Sequence, residues 1–335
     1  MKEAKYYQSK GGDKVQCNLC PHYCILGDNA FGLCRSRINI KGKLYSEAYG
    51  KLCAMAIDPI EKKPLFHFHP GMKCLSIACT GCNLKCPNCQ NFELSQVSPS
   101  SVSEYKCTPE QIVDYCLNNK IKAIAYTYTE PLTYIEYIYD IATLARKQGI
   151  YNILVSAGYV NSHPLVDLTS VLDAANIDLK AFNDTIYKQF NRGSLQPVLS
   201  TLKRLKDSGI WLEITNLLIP GVTDDTVMLR DMCKWLRHNE FDNTPLHFSR
   251  FFPMYRMQNS ETTPIDTLLL AKKIALEEGL KFVYIGNAAE IDGENTLCPV
   301  CKSLLIKRNG YRIEENHLQN SNICYKCGAT IPGHW

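Results

Sequence analysis

Twelve of the chain's seventeen cysteines fall into three groups of four, and no other feature limits the fold as much. The middle group, Cys79-Thr-Gly-Cys82-Asn-Leu-Lys-Cys86-Pro-Asn-Cys89-Gln-Asn91, follows the apolar run Cys74-Leu75-Ser76-Ile77-Ala78, which reads as a buried strand. A strand that delivers closely spaced thiolates into a loop can hold a soft metal at the mouth of a sheet. Thiolate-only ligation favours zinc or an iron–sulfur cluster over magnesium, calcium or copper(II). The spacing Cys82-x3-Cys86-x2-Cys89 supplies three thiolates, where a closed zinc or cubane site takes four. Two readings are open on spacing alone: Cys79 is the fourth ligand, or the fourth corner is kept for a substrate.

The first group, Cys17-Asn-Leu-Cys20-Pro-His-Tyr-Cys24 with Cys34 beyond Gly27 and Gly32, lies in a turn-rich stretch with little core of its own. That is the look of a knuckle stapled by metal. Zinc is the expected ion by ligand type, with a second cluster or a redox-active thiol set as alternatives and His22 as a neighbour. The last group pairs Cys298-Pro-Val-Cys301 with Cys324-Tyr-Lys-Cys327 across a β-like segment around 304–311. This zinc-ribbon pattern predicts a closed structural site. The other five thiols, Cys53, Cys74, Cys107, Cys116 and Cys233, are expected to be inert core residues.

From Cys74 onward, apolar strands alternate with amphipathic helices. Strands are predicted at 74–78, 122–127, 150–155, 176–180, 210–216, 245–249 and 281–285. Thr108-Pro109-Glu110-Gln111 reads as a capped helix start, and Gly149, Gly209 and Gly279 as helix stops. Such alternation implies a parallel sheet, either open and doubly wound or a partial (β/α) barrel. No GxGxxG or P-loop sequence opens any helix, so nucleotide-phosphate readings lose support. The expected organisation is a metal-binding segment with a lid loop over 1–72, an α/β body over 73–290 and a zinc-ribbon-like module over 291–335.

In parallel α/β folds the chemistry sits at the C-terminal ends of the strands. The residues there are the cysteine loop, Thr127 to Pro131, Ser156 to Tyr159, Asp178 and Lys180 with Asn183 and Asp184 behind, Glu213 with Thr215 and Asn216, His247 with Ser249 and Arg250, and Asn287. Glu130 stands out because it ends an apolar strand and precedes a helix-opening proline; a carboxylate favoured by a helix N-terminus explains it equally. The stretch Asp58-Pro-Ile-Glu61-Lys62-Lys63-Pro64-Leu-Phe-His67-Phe-His69, just before the first of these strands, is expected to be a lid that turns His67 and His69 toward the site.

A net charge of +4 is too mild to imply nucleic acid or a membrane surface. No apolar run approaches the roughly 18 residues of a spanning helix, and Met1-Lys-Glu-Ala-Lys-Tyr-Tyr lacks a signal-peptide core. With clustered cysteines better suited to metals than to disulfides, the expected location is the cytoplasm.

The three cysteines after a first strand resemble the signature of the radical SAM superfamily. Further stretches sharpen the likeness: Asp58-Pro-Ile-Glu-Lys-Lys-Pro-Leu, Tyr-Thr-Glu130-Pro, Asp178-Leu-Lys180-Ala-Phe, Ile-Pro220-Gly, His247-Phe-Ser-Arg-Phe and the terminal cysteine pairs. Together they resemble the AmmeMemoRadiSam system radical SAM enzymes, relatives of the pyruvate formate-lyase activating enzyme, over nearly the whole chain.

The resemblance implies a partial (β/α)6 radical SAM barrel between an N-terminal cysteine knuckle and a C-terminal zinc-ribbon-like module. It implies a [4Fe–4S] cluster on Cys82, Cys86 and Cys89 with Cys79 a bystander, and S-adenosylmethionine chelated to the open iron. Thr129 and Glu130 would meet the methionine amino group. Tyr128 and Thr129 stand where relatives carry two glycines. Ser156, Asp178 and Lys180 would contact the ribose, the carboxylate or a nearby cation. Asn88 replaces the usual aromatic residue before the third cysteine, which leaves the adenine contact unassigned between Phe92 and a tyrosine.

Reductive cleavage would give a 5′-deoxyadenosyl radical that takes hydrogen from a small molecule or a partner's side chain. The electron would come from an external reductant, ferredoxin or flavodoxin. Memo-like and AMMECR-like proteins are the implied pathway partners. Zinc would occupy the C-terminal set and also Cys17, Cys20, Cys24 and Cys34. The rival readings are an activating enzyme for a glycyl-radical protein and a non-catalytic zinc-binding interaction protein.

Overall fold

The computed structural model describes residues 1–102, 104–320 and 322–335. Its centre is an eight-stranded sheet: β1 (Ala54–Pro59), β2 (Lys73–Ala78), β3 (Ala123–Tyr126), β4 (Tyr151–Ser156), β5 (Ala174–Asp178), β6 (Trp211–Leu218), β7 (Leu246–Arg250) and β8 (Val283–Gly286). The strands lie side by side in chain order, and β2 through β8 are all parallel. Seven parallel strands therefore stand at the seven predicted places. The helices between them are α1 (Pro109–Asn118), α2 (Ile135–Lys147), α3 (Ser162–Thr169), α4 (Leu195–Asp207), α5 (Thr226–His238) and α6 (Ile265–Glu277). At the start of α1, Thr108 and Gln111 form the full reciprocal capping box that the sequence predicts.

Alternation along each strand sorts side chains onto two faces. Leu75, Ile77, Ile124, Tyr126, Leu154, Ile177, Ile214 and Phe248 share one core with the helices. The opposite face carries small residues, Ala123, Ala125 and Ala174, and these make room for Ile60, Leu65 and Phe68 of the 60–72 connection.

That connection is not a lid. The edge strand β1 runs antiparallel to β2, with Pro59 opposite Lys73, the first residue of β2. The chain therefore leaves β1 at the N-terminal end of the parallel strands and plugs that end. His67 is fully buried, with Nδ1 2.8 Å from the Pro332 carbonyl and Nε2 2.6 Å from the Tyr284 hydroxyl. His69 stacks on Tyr151, which opens β4. Both histidines thus lie at the end of the sheet opposite to the cysteine loop.

Two small β-modules flank the sheet. Near the N-terminus, Arg37–Ile40 pairs with Lys43–Ser46 across Lys41 and Gly42, both at positive φ as a tight hairpin requires. Near the C-terminus, Thr296–Leu297, Leu304–Asn309 and Arg312–Asn316 form a three-stranded antiparallel sheet. The C-terminal tail returns to the plug: His334 N donates to the His67 carbonyl at 2.8 Å, and the Trp335 ring lies 4.8 Å from His67. Arg308 donates to the Phe66 carbonyl at 2.7 Å. Among the described residues, no helix is long and apolar enough to cross a membrane.

Candidate functional site

Strand β2 ends at Ala78, and the following residues separate one thiol from three. Cys79 continues the strand alternation into the helix-side core, where burial pushes its thiol well above the ordinary value. Its carbonyl accepts a hydrogen bond from the Thr129 hydroxyl at 2.5 Å, which ties the cysteine loop to the turn after β3. Cys82, Cys86 and Cys89 lie beyond it, each with its own polar neighbour. Leu84 N donates to Cys82 Sγ at 3.3 Å, Asn191 Nδ2 donates to Cys86 Sγ at 3.1 Å, and Ser95 Oγ lies 3.2 Å from Cys89 Sγ. Donors aimed at sulfur stabilise thiolate and tune any metal bound there.

Among the described residues, these three sulfurs do not gather within the 4.8 Å that marks ligands of a single ion. A cubane binds each thiolate through a different iron and needs the wider spacing. Three thiols, set apart and supplied with donors, fit such a cluster. The loop is held in place by backbone contacts: Lys85 N to Asn191 O at 2.9 Å and Arg256 N to Pro87 O at 3.0 Å.

Glu130 closes this group from the β3 end. Only 1 % of it is exposed; Ser156 Oγ donates to Oε1 at 2.6 Å, Leu132 N to Oε1 at 3.2 Å and Ala157 N to Oε2 at 2.9 Å. Burial nonetheless pushes its pKa up, outweighing these bonds and the more distant charge of Lys180, which forms no ion pair with it. Next to the thiols, Lys180 Nζ lies 2.9 Å from Asp178 Oδ2 at the end of β5. Burial pulls the Lys180 pKa down, but the charges of Asp178 and Cys86 more than offset it and raise it overall. The structure thus brings Cys82, Cys86, Cys89, Glu130, Ser156, Asp178 and Lys180 to one end of the sheet. Thr129 belongs to the same end, with its hydroxyl engaged by Cys79.

A family model described as the radical SAM superfamily matches residues 76–233. A protein of Methanocaldococcus jannaschii, "Uncharacterized protein MJ0808", is 43 % identical over 332 residues, 99 % of either chain. The chain belongs to the radical SAM superfamily. It is also homologous to the Escherichia coli (strain K12) pyruvate formate-lyase 1-activating enzyme, at 24 % identity over 160 residues, which is 47 % of this chain and 65 % of that one. The crystal structure of a radical SAM methyltransferase from Sphaerobacter thermophilus shares the fold at 13 % identity, with a TM-score of 0.51 over 71 % of each chain.

Not every polar residue expected at the strand ends of this radical SAM chain belongs to the site. Glu213 and His247 lie toward the N-terminal end of their strands. Glu213 is fully buried and accepts from Phe66 N at 2.9 Å, His67 N at 2.7 Å, Trp211 Nε1 at 3.0 Å and His247 Nε2 at 2.6 Å. Burial raises its pKa, but the bond and charge from His247 outweigh that and lower it overall. Asn216 donates to the Leu179 carbonyl at 2.6 Å, and Thr215 to Asn176 Oδ1 at 2.9 Å, so both hold the sheet. Sequence reasoning missed Asn191, which lies 105 positions from the thiol it touches. Spacing carries no signal for it. A pocket of about 1020 Å³ near Tyr49, Cys107 and Tyr139 contains none of the strand-end residues.

The two outer cysteine groups differ. Cys298, Cys301, Cys324 and Cys327 put all four sulfurs within 4.8 Å, with Cys298–Cys327 at 3.6 Å and Cys301–Cys324 at 3.7 Å. A tetrahedral ion with Zn–S bonds of about 2.3 Å requires edges of about 3.8 Å, so the fit to one ion is close. Cys17, Cys20, Cys24 and Cys34 line one small cavity of about 10 Å³, and among the described residues no three of their sulfurs share such a shell.

Proposed function

We propose that this radical SAM protein holds its cluster on Cys82, Cys86 and Cys89 and binds S-adenosylmethionine against Glu130, Ser156 and the Asp178–Lys180 pair, with the sheet curving as a partial barrel. When bound, these cofactors supply a 5′-deoxyadenosyl radical by one-electron reduction. The chain's own contribution is binding and exclusion of water. Glu130 carries the reading: a buried carboxylate bonded directly to three neutral donors, with Lys180 acting on it only at a distance, suits an incoming ammonium group such as that of methionine. Lys180 brings positive charge beside Cys86, where a cluster with thiolate ligands accumulates negative charge. Asn191, Leu84 N and Ser95 orient the sulfurs. Thr129 fixes the turn that presents Glu130.

The hydrogen donor is a small molecule or a side chain of a partner protein. Homology to pyruvate formate-lyase activating enzymes supports the second source, a glycyl-radical protein. The wider set of motifs supports placement among AmmeMemoRadiSam system enzymes, with Memo-like and AMMECR-like partners in the cytoplasm and a ferredoxin or flavodoxin as electron donor. The C-terminal tetrathiolate holds zinc. The test is anaerobic reconstitution with iron and sulfide, followed by dithionite and S-adenosylmethionine. A brown protein that yields 5′-deoxyadenosine and methionine is expected. A colourless, zinc-replete protein that yields neither would make the chain a zinc-binding interaction protein instead.

A further inference from the structure

Three exposed cations converge on one corner of the thiol loop. Lys85 directly precedes Cys86 and stands in solvent. Arg192, also exposed, follows Asn191, whose amide nitrogen lies 3.1 Å from Cys86 Sγ. Arg256, exposed as well, donates its backbone N–H to the carbonyl of Pro87, the residue after Cys86, at 3.0 Å. Lys85 N in turn donates to the Asn191 carbonyl at 2.9 Å, so the loop joins all three backbones. Each cation thus stands one residue, or one residue and one hydrogen bond, from Cys86.

These charges have no counter-charge of their own. Among the described residues none of the three meets a carboxylate, whereas Lys188 and Arg250 on the same segments pair with Asp184 and Glu290. The loop from Cys82 to Asn91 contains no acid, and the next one along the chain is Glu93. Two of the cations are also held by local structure. Arg192 sits at φ +60°, a left-handed conformation that disfavours a residue with a Cβ, and it ends the π-helical turn Tyr187–Asn191. The Arg256 guanidinium lies 5.1 Å from the Tyr255 ring, which stacks on Phe92 at 4.4 Å. Fixed like charges around one point focus a positive field there.

The loop is thin at this corner. Cys86, Pro87, Asn88 and Cys89 are each half-buried, and Gln90 is exposed. A redox group held by Cys86 is therefore one loop away from solvent.

Resting on the cluster reading proposed above, we infer that Lys85, Arg192 and Arg256 form the docking face for the electron donor, a small acidic redox protein. The carrier gives up one electron and is oxidised; the cluster takes up that electron at the Cys86 corner and is reduced. Complementary charge at such a face speeds encounter and makes it sensitive to salt.

The test follows bleaching of the reconstituted cluster by reduced flavodoxin, with S-adenosylmethionine left out. It compares the full chain with a variant carrying Lys85→Gln, Arg192→Gln and Arg256→Gln. Flavodoxin should reduce the variant about tenfold more slowly at low salt, and the gap should close as salt rises. A small uncharged donor, photoreduced 5-deazariboflavin, should reduce both proteins at the same rate. Equal flavodoxin rates in the two proteins overturn the inference. An equal loss with both donors also overturns it, since the effect would then lie in the cluster and not in docking. If the triple variant does not hold iron, carbodiimide crosslinking of flavodoxin to the unaltered protein decides. A crosslink through Lys85 is expected; crosslinks through other lysines alone overturn the inference. An unaltered protein that forms no cluster overturns the cluster reading as well, and its lack of colour tells that outcome from the others.

Discussion

Two carboxylates at opposite ends of one sheet, Glu130 and Glu213, are equally buried and differently used. Glu213 meets four donors, one of them the imidazole of His247, and its pKa falls below the ordinary value. Glu130 meets three neutral donors and its pKa rises. A charge whose partners are all within the fold serves the fold. Glu130 is bonded directly only to neutral groups and feels Lys180 at a distance, which on the proposed reading leaves room for a cation from outside. Burial alone does not distinguish structure from function; the identity of the partners does.

The largest expected effect lies among the thiols. Cys82→Ala should abolish formation of 5′-deoxyadenosine, while Cys298→Ala should lower the thermal midpoint, release one zinc and leave the site iron in place. Equal loss of site iron from both variants, read by metal analysis, would remove the distinction between a reactive end and a structural one. Next, Glu130→Gln keeps the shape and removes the charge. Loss of a charge-assisted contact should weaken S-adenosylmethionine about 10- to 100-fold in a binding titration, with a smaller loss of stability from the backbone N–H that an amide nitrogen cannot accept. Glu213→Gln should do the reverse, costing roughly 3 kcal/mol in a denaturant titration by leaving His247 without its partner. A larger effect on cofactor affinity than on stability in Glu213→Gln would break the comparison.

The last effect is one of pH. Burial holds His67 down from 6.5 to about 4, so the folded protein keeps it neutral where the unfolded chain takes up a proton. Its contribution is fully present above pH 6.5 and is lost as the pH falls toward 4, a span worth roughly 3 kcal/mol. His67→Gln should flatten the difference in denaturation midpoint between pH 6.5 and pH 5. An unchanged slope would mean that the N-terminal plug opens to water before unfolding.

The strands and their ends were legible because burial writes apolar runs into the sequence and parallel α/β topology fixes where the runs finish. Glu130, Asp178 and Lys180 were placed at the strand ends in this way, and the C-terminal thiols were grouped by paired spacing. The destination of residues 60–72 was not legible. It depends on β1 pairing antiparallel to β2, and an irregular, proline-rich connection reads the same at either end of a sheet. The difference between Glu130 and Glu213 was equally hidden, since the donors to Glu213 from Phe66 and His67 lie 147 and 146 positions away. Spacing grouped Cys17, Cys20, Cys24 and Cys34, and only the fold shows that they line one cavity of about 10 Å³.

The bond between His67 and the Pro332 carbonyl joins residues 265 positions apart. Contacts of such long range form late, because the loop-closure entropy must be met before they stabilise anything. The segment that supplies Pro332 and Trp335 belongs to a module with a small apolar cluster, which on the zinc reading proposed above would draw much of its stability from the ion. If that zinc reading holds, the floor of the sheet would be sealed last, after the C-terminal thiols have captured their ion. Zinc supply during synthesis would then bear on how long the unsealed sheet remains exposed to aggregation.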